Sequence, residues 1–493
     1  MAPSVSGDRA HRPNVVLVYT DQQRYDTLGA NGNEVISTPN LDALAASAVS
    51  FDSVFVASPN CMPSRAAFAT GRYPRINGVR WNGIKLPISE RTFMEVLRDN
   101  GYATALWGKL HLWPHQTRTD HDPSFGFGIA NIAENLRAHS ASAYRDWLGR
   151  AYPASTDDRR EVTYSDELQV WVPAHPAEAS FSAWAASEGV AFLESTPPEP
   201  FFLTVSFVDP HHPFAPPEPY ASMYDPADVP LPRFTPGELD DKPPHFLDGH
   251  VGRVDPVLGF AAGGEGQRDL PVGRVDLREV DEQLWRRLVA HYYGMISLID
   301  TQVGRVLRSL QDAGLDERTI VIFMSDHGEL LGDHGLLFKG PHHYDALLRV
   351  PAIIRVPGEQ APGRRYSDLV EQIDLSSTIL ELCGIDPPSS MQGDSLVRRL
   401  WGRADRARES VLVERKDLYW RLDMKTVRTR DWKLTHYAGE AFGELIDLKN
   451  DPEELVNLWD DPGSRAVKSE LLAHLLDRLA DSEDPTPDAV ALA

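Results

Sequence analysis

The feature that most constrains this chain is a set of short, wholly apolar, β-branched runs that each end abruptly at a charged or hydrogen-bonding residue. Asn14–Thr20 (Asn-Val-Val-Leu-Val-Tyr-Thr) and Thr319–Ser325 (Thr-Ile-Val-Ile-Phe-Met-Ser) show no polar alternation. Each therefore reads as a strand buried on both faces. Residues 51–57, 102–107, 201–208 and 350–356 read as further strands, and helical patterns lie between them, after Thr38-Pro39, over residues 93–98 and over 373–383. Over 281–310, Leu284, Leu288, Tyr292, Met295, Ile296, Ile299, Val303 and Leu307 recur at helical spacing, which gives one long or broken amphipathic helix. Strands alternating with helices predict an α/β fold, a large mostly parallel central sheet sandwiched by helices.

Elsewhere the pattern is weaker. Residues 113–196 mix charges, aromatics and short helical patterns and read as an excursion over the surface, and the Pro-, Gly- and Asp-rich stretch 216–276 reads as irregular. Beyond residue 385 the pattern changes to strand-like pieces around Val411, Trp432 and Leu445 and a terminal helix near 471–479. The expected organisation is a catalytic α/β domain over 1–385 and a smaller C-terminal α+β domain over 386–493. No internal repeat stands out.

Composition narrows the function. The net charge of −23 opposes nucleic acid or an anionic membrane surface as the main partner. A small anionic substrate stays open, because the field inside a cleft can oppose the overall charge. Residues 1–13 lack the apolar core of a secretory signal, and no apolar run reaches the roughly 18 residues of a membrane span, so a cytoplasmic location is the expectation. The only cysteines, Cys61 and Cys383, make no disulfide framework, although a single bridge between them is open from sequence.

In parallel sheets with helices on both faces, ligands bind beyond the carboxyl ends of the strands. Five of the strands here end in chemically useful groups: Asp21 with Gln22, Cys61 with Arg65, Lys109 with His111, His211, and Asp326 with His327. If these strands are parallel, all five groups share one edge. Asp21, Gln22, Asp326 and His327 then resemble a divalent metal site, whose oxygen donors favour calcium or magnesium and whose imidazole leaves manganese open. Taken singly, Asp21 could cap a helix, and Asp-His-Gly is common in turns. Arg65, Lys109, His111, His211 and Lys339 supply cations and proton carriers, though lysines and arginines are more often solvated. Around a tetrahedral oxyanion they would stabilise charge through preorganised hydrogen bonds, a combination suited to hydrolysis of a sulfate or phosphate ester.

Cys61 stands where a strand gives way to a helix, with Pro63 suited to its first turn. A side chain there faces the positive helix end, a natural anion site, whereas the bland alternative is a small core thiol.

These motifs together resemble the type I, formylglycine-dependent sulfatases of the alkaline-phosphatase-like superfamily. Cys61-Met62-Pro63-Ser64-Arg65 matches the Cys-x-Pro-Ser-Arg signature, continued through Thr70-Gly71-Arg72. Thr20-Asp21-Gln22-Gln23-Arg24, Gly108-Lys109-Leu110-His111, Pro210-His211-His212-Pro213 and Ser325-Asp326-His327-Gly328-Glu329 are similar to the other family blocks, in order, and Asp447 and Asp451-Pro452 extend the likeness into the C-terminal part. The resemblance implies an alkaline-phosphatase-like fold with an antiparallel sheet in the smaller domain, and a sulfuric ester hydrolase. It implies that a separate maturation enzyme converts Cys61 to formylglycine. One hydroxyl of the hydrated aldehyde would attack sulfur and expel the alcohol, and the other would then help eliminate sulfate.

By the same resemblance, Asp21, Gln22, Cys61, Asp326 and His327 would hold the metal, calcium first, with manganese or magnesium as alternatives. Arg65 and Lys109 would hold formylglycine and sulfate oxygens, and His111 would assist elimination. His211 and Lys339 would contact sulfate and assist the leaving oxygen. Many family members carry a second aspartate at the position of Gln22 and an asparagine at that of His327, so this site has less formal negative charge. Trp81, Asn82, Trp107, Trp113 and His115 could contact an aryl, carbohydrate or choline sulfate, and could equally be packing. Competing readings are a phosphonate monoester or phosphodiester hydrolase of the same superfamily and a catalytically silent binding homologue. The sequence leaves a homo-oligomer open.

Overall fold

A computed structural model describes residues 12–114, 124–133, 143–155, 160–252, 275–358, 362–403 and 407–484. His115, residues 253–274 of the stretch read as irregular, and both ends of the chain lie outside the described residues. The apolar runs form strands: β1 Asn14–Thr20, β2 Val49–Phe55, β3 Ala103–Gly108 and β4 Ile129–Ile132. A small antiparallel hairpin, β5 Arg160–Ser165 with β6 Val170–Pro173, follows. Then come β7 Phe201–Ser206, β8 Thr319–Ser325, β9 Arg349–Arg355, β10 Arg364–Tyr366 and β11 Val370–Glu371. The main sheet runs β10-β2-β9-β8-β1-β7-β3-β4, with β11 also beside β2. β1 is parallel to β7 and β8, and β3 to β7.

β9 is the exception, antiparallel to both its neighbours β2 and β8. Two reversals restore direction, so β2 runs the same way as β8. The five strands singled out by their polar ends are therefore mutually parallel.

Alternate residues of β1 feed two separate cores, as a strand buried on both faces requires. Val15, Leu17 and Tyr19 pack with Ala66 and Phe68 of the helix Cys61–Thr70, Phe93 of the helix Phe93–Asp99 and Leu375 of the helix Gln372–Leu382. Val16 and Val18 pack with Leu41 of the helix Pro39–Ala46, Trp184 of the helix Phe181–Glu194 and Ile299 of the helix Glu282–Asp312. That last helix is continuous over 31 residues, and its start is set by Asp281, whose carboxylate accepts from the Leu284 N–H at 2.7 Å. Cys61 and Cys383 are both free and buried, so no bridge joins them.

The C-terminal part is a four-stranded antiparallel sheet, β12 Ser410–Asp417, β13 Leu422–Thr429, β14 Trp432–Tyr437 and β15 Gly443–Asp447, in sequential order. The sequence pattern missed β13, whose middle reads Lys-Thr-Val-Arg with little apolar signal. The helix Arg465–Asp481 covers one face of this sheet through Leu471 and Leu475. Its packing cluster extends to Ala57, Ala67 and Ile373 of the larger part, and the Glu414 N–H donates to the Ala57 carbonyl at 2.8 Å. The C-terminal sheet thus backs the segment that leads into the Cys61 helix. No helix among the described residues is long and apolar enough to cross a membrane.

One buried histidine makes the fold sensitive to acid. His291, on the long helix, donates from Nδ1 to the Phe214 carbonyl at 3.0 Å. Burial pushes its pKa down from 6.5 to about 4. Below pH 6.5 the unfolded chain takes up a proton there that the folded chain refuses until about pH 4, so stability falls as pH is lowered across that window. His291→Gln is expected to remove on the order of 3 kcal/mol of this pH dependence, read as a flatter dependence of urea midpoint on pH between 6.5 and 4 than in the wild-type chain.

Candidate active site

The register of β1 on β8 builds the centre of the site. Because Thr20 lies opposite Ser325, the next residue of each strand, Asp21 and Asp326, emerges at the same level. Both carboxylates are fully buried. The Gln22 N–H donates to Asp326 Oδ1 at 3.0 Å. His327 Nε2 lies 3.5 Å from Asp21 Oδ1 and 3.7 Å from Asp326 Oδ1. Cys61 Sγ is 3.2 Å from His327 Nε2 and 3.7 Å from Asp21 Oδ1. One donor atom from each of Asp21, Cys61, Asp326 and His327 falls within 4.8 Å of the others.

Cys61 reaches this point because its helix begins there. Asn60 is extended, and the Ser64 N–H closes the first turn onto the Asn60 carbonyl at 2.9 Å. Pro63 costs nothing in this first turn, where no intrahelical N–H bond is required. The Met62 N–H is met by Asn82 Oδ1 at 3.0 Å. The helix stops at Gly71, left-handed at φ 64°, where a Cβ would lie 2.5 Å from the Met391 side chain. A second glycine, Gly108, lets β3 turn into the site: its φ is 111°, and a Cβ would come within 1.8 Å of the Ser206 carbonyl oxygen.

Cations surround the acidic pair. Arg65, almost fully buried, donates from Nε to Asp326 Oδ2 at 2.7 Å and from Nη1 to the Lys109 carbonyl at 3.0 Å and Ser206 Oγ at 3.1 Å. Its guanidinium lies 4.5 Å from the centre of the Tyr19 ring. Lys109 Nζ pairs with Asp21 Oδ2. Lys339 Nζ donates to Gln22 Oε1 at 2.5 Å. His111 is close enough to the Cys61 thiol to lower its pKa, and His211 close enough to Asp21, Lys109 and Lys339 to feel their charges. All ten residues singled out from sequence are thus brought together, and Gln22, His111 and Phe338, which precedes Lys339, hold left-handed backbone angles of 67°, 56° and 62°. Such conformations cost on the order of 1 kcal/mol each in non-glycine residues and persist where the surroundings impose them.

The electrostatics favour negative charge at the position of Cys61. Burial raises the Cys61 thiol pKa, but Lys109, Lys339 and His327 outweigh it and hold the pKa well below its usual value. Burial and Cys61 push the Asp21 carboxyl up, yet Lys109, His211 and Lys339 bring it below the carboxylate range. Burial, reinforced by Asp21, raises Asp326. Burial and Lys339 lower the His211 pKa, with Asp21 opposing them. Two buried carboxylates, an imidazole nitrogen and the Cys61 position within one small space fit a divalent cation, whose charge would relieve the repulsion between Asp21 and Asp326.

Several neighbours lay within the quoted motifs but were given no role in the site. Glu329 is fully buried and accepts from Gln22 Nε2, which is also 3.2 Å from His212 Nδ1. Glu329 thereby fixes which end of the Gln22 amide faces Lys339. Ser64 Oγ donates to the Asp326 carbonyl at 2.5 Å and lies 2.8 Å from Gln372 Oε1. Among the aromatic candidates, Trp107 takes the packing alternative: the strand alternation turns it into the core, where its ring lies 5.4 Å from that of Phe192. The Asn82 oxygen serves the helix end. Trp113 packs on Phe125 and Lys85, and Trp81 on Arg415.

An acidic and imidazole centre at the strand ends, ringed by arginine, lysines and histidines, defines a hydrolase of alkaline-phosphatase-like architecture. The chain belongs to the sulfatase family: the Sulfatase family model matches residues 13–385, and a model described as N-sulphoglucosamine sulphohydrolase, C-terminal, matches 332–481. It is 30% identical over 473 residues to an arylsulfatase of Clostridium perfringens, covering 91% of this chain and 90% of the relative. It is 27% identical to a choline-sulfatase of Rhizobium meliloti, covering 94% and 85%. Its structure is similar to the phosphonate monoester hydrolase of Agrobacterium radiobacter, with a TM-score of 0.80, 28% identity and 96% coverage of both chains.

Arg65 is tested by its own burial. Arg65→Met leaves Asp326 buried beside Asp21 without its partner, and is expected to cost about 3–5 kcal/mol of unfolding free energy in denaturant titrations. A loss below about 1 kcal/mol, the range of exposed ion pairs, would contradict that account.

Proposed function

We propose that this protein hydrolyses a sulfate monoester to an alcohol and inorganic sulfate, with Cys61 as the precursor of a formylglycine nucleophile and a divalent metal, calcium first, at Asp21, Gln22, Asp326 and His327. The observation that carries this reading is the placing of Lys109, Lys339, His327 and His111 around the Cys61 side chain, a field that lowers the cost of negative charge there. A compact tetrahedral oxyanion needs donors on every side, and these residues offer them. A bound cation would add Lewis-acid polarisation of the ester oxygens. Hydrated formylglycine would supply two hydroxyls on one carbon, one to attack sulfur and one to regenerate the aldehyde as sulfate leaves.

The chain's own groups divide the remaining work. Arg65, fixed on Asp326, sets the orientation of its helix start and keeps positive charge against the acidic pair. Lys109, paired with Asp21, lies where it can also hold a sulfate oxygen. His111, which lowers the pKa at the Cys61 position, suits proton removal during elimination. His211 and Lys339 suit the leaving-oxygen side, in line with the family resemblance.

A second reading is favoured by one observation, the likeness to a phosphonate monoester hydrolase over 96% of both chains. Gln22 in place of a second carboxylate is compatible with either ester. Steady-state kinetics of purified enzyme on aryl sulfates, aryl phosphonates and phosphodiesters separates the two: phosphonate or diester turnover exceeding sulfate turnover by orders of magnitude would overturn the sulfatase proposal.

Two outcomes test the chemistry. Cys61→Ala is expected to lose all measurable turnover with an unchanged melting temperature, and peptide mass spectrometry of active enzyme is expected to show aldehyde in place of thiol at Cys61; substantial turnover by the alanine variant would sink the mechanism. Prolonged chelation and washing is expected to remove the metal, followed by elemental analysis, and turnover with it.

A further inference from the structure

Lys339 lies in a loop of the large part of the molecule, but what holds that loop comes from the C-terminal sheet. Arg415 stands on β12, opposite Met424 of β13, and is 4% exposed. Its Nη1 donates to two successive carbonyls, Lys339 at 2.9 Å and Gly340 at 2.7 Å. The other edge of the guanidinium is clamped by Asp417, with Nε at 3.2 Å and Nη2 at 2.8 Å from the same Oδ2. Asp417 Oδ1 in turn accepts from the Tyr419 and Trp420 N–H groups at 3.0 and 2.9 Å, so it also fixes the β12–β13 turn. The Arg415 guanidinium lies 5.4 Å from the centre of the Trp81 ring, next to Asn82, which meets the Cys61 helix start.

A guanidinium is a rigid planar fork, so clamping one edge fixes the direction of the other. With Nη1 fixed, the backbone of Lys339 and Gly340 is fixed, and this sets where the Lys339 ammonium can reach. The preceding residue, Phe338, is held at φ 62°, a conformation that needs external support. We propose that Arg415 is the positioning residue for Lys339, and that the C-terminal sheet completes the active site through it. The inference rests on the reading of Lys339 as a group on the leaving-oxygen side.

The test measures kcat/KM over a series of aryl esters of graded leaving-group quality, of whichever acid the enzyme prefers, for wild type, Lys339→Ala, Arg415→Met and Arg415→Lys. If Arg415 places Lys339, both Lys339→Ala and Arg415→Met lose more on esters of unsubstituted phenol than on esters of nitrophenol. Arg415→Met is expected to lose about tenfold on the former, part of the roughly 10²–10⁴-fold that a positioned acid supplies, and under about threefold on the latter. Arg415→Lys, which keeps donors for the two carbonyls without the fork, is expected to recover part of the loss. A uniform loss across the series in Arg415→Met, with Lys339→Ala still sensitive to the leaving group, overturns this inference alone. A uniform loss in Lys339→Ala overturns the reading of Lys339 and this inference with it. Should Arg415→Met fail to fold, Asp417→Asn frees the guanidinium from its clamp with its donors intact; the same leaving-group sensitivity is expected, and its absence overturns the proposal.

Discussion

The structure depends on two carboxylates that ought to repel one another. Asp21 and Asp326 are delivered side by side, without solvent, by the β1–β8 register, and neither strand can slip without turning its apolar residues out of the two cores. Hydrophobic burial thus fixes an electrostatically costly arrangement. The neighbouring groups then serve as compensation: Arg65 on Asp326, Lys109 on Asp21, and the Gln22 N–H on Asp326. The donor set suits a divalent cation for the same reason, since two adjacent buried carboxylates can share one concentrated positive charge.

Around that centre the polar groups form linked shells, in which most side chains have two tasks. Gln22 presents its oxygen to Lys339 and its nitrogen to Glu329. Ser206, at the end of β7, supports Arg65 by its hydroxyl, and its carbonyl is approached by Gly108 and accepts from the Lys109 N–H at 3.1 Å. Substitutions here act in groups, because a lost partner leaves another buried group unpaired.

Much of this was legible in the sequence, for identifiable reasons. Strands buried on both faces lack polar residues, so β1 and β8 were read to the residue, and the first polar residue after each marked the site edge. Asp21, Asp326, His327 and Lys109 were found that way. What escaped lay where periodicity carries no information. Helix Phe181–Glu194 is apolar almost all round, and β4 is short and lies at the edge of the sheet. Trp107, near Lys109 in sequence, could have been a substrate contact or a packing residue; on β3 its ring joins the core beside Phe192, and the strand ends at Gly108 before Lys109 enters the site. Arg415 had no local signal, since the Lys339 and Gly340 carbonyls it meets lie 76 and 75 residues away in sequence.

The contact between the Glu414 N–H and the Ala57 carbonyl has a consequence for how such a chain is made. The nucleophile helix belongs to the early part of the sequence, yet the surface that covers Ala57 and Ala67 is supplied by Leu412, Leu434 and Leu471, near the other end. During synthesis the large sheet can therefore assemble while one flank of that helix is still uncovered. Closure over so long a separation is slow relative to local pairing. The interval leaves an apolar surface open to wrong partners, including other nascent copies of the chain, until the last strands arrive.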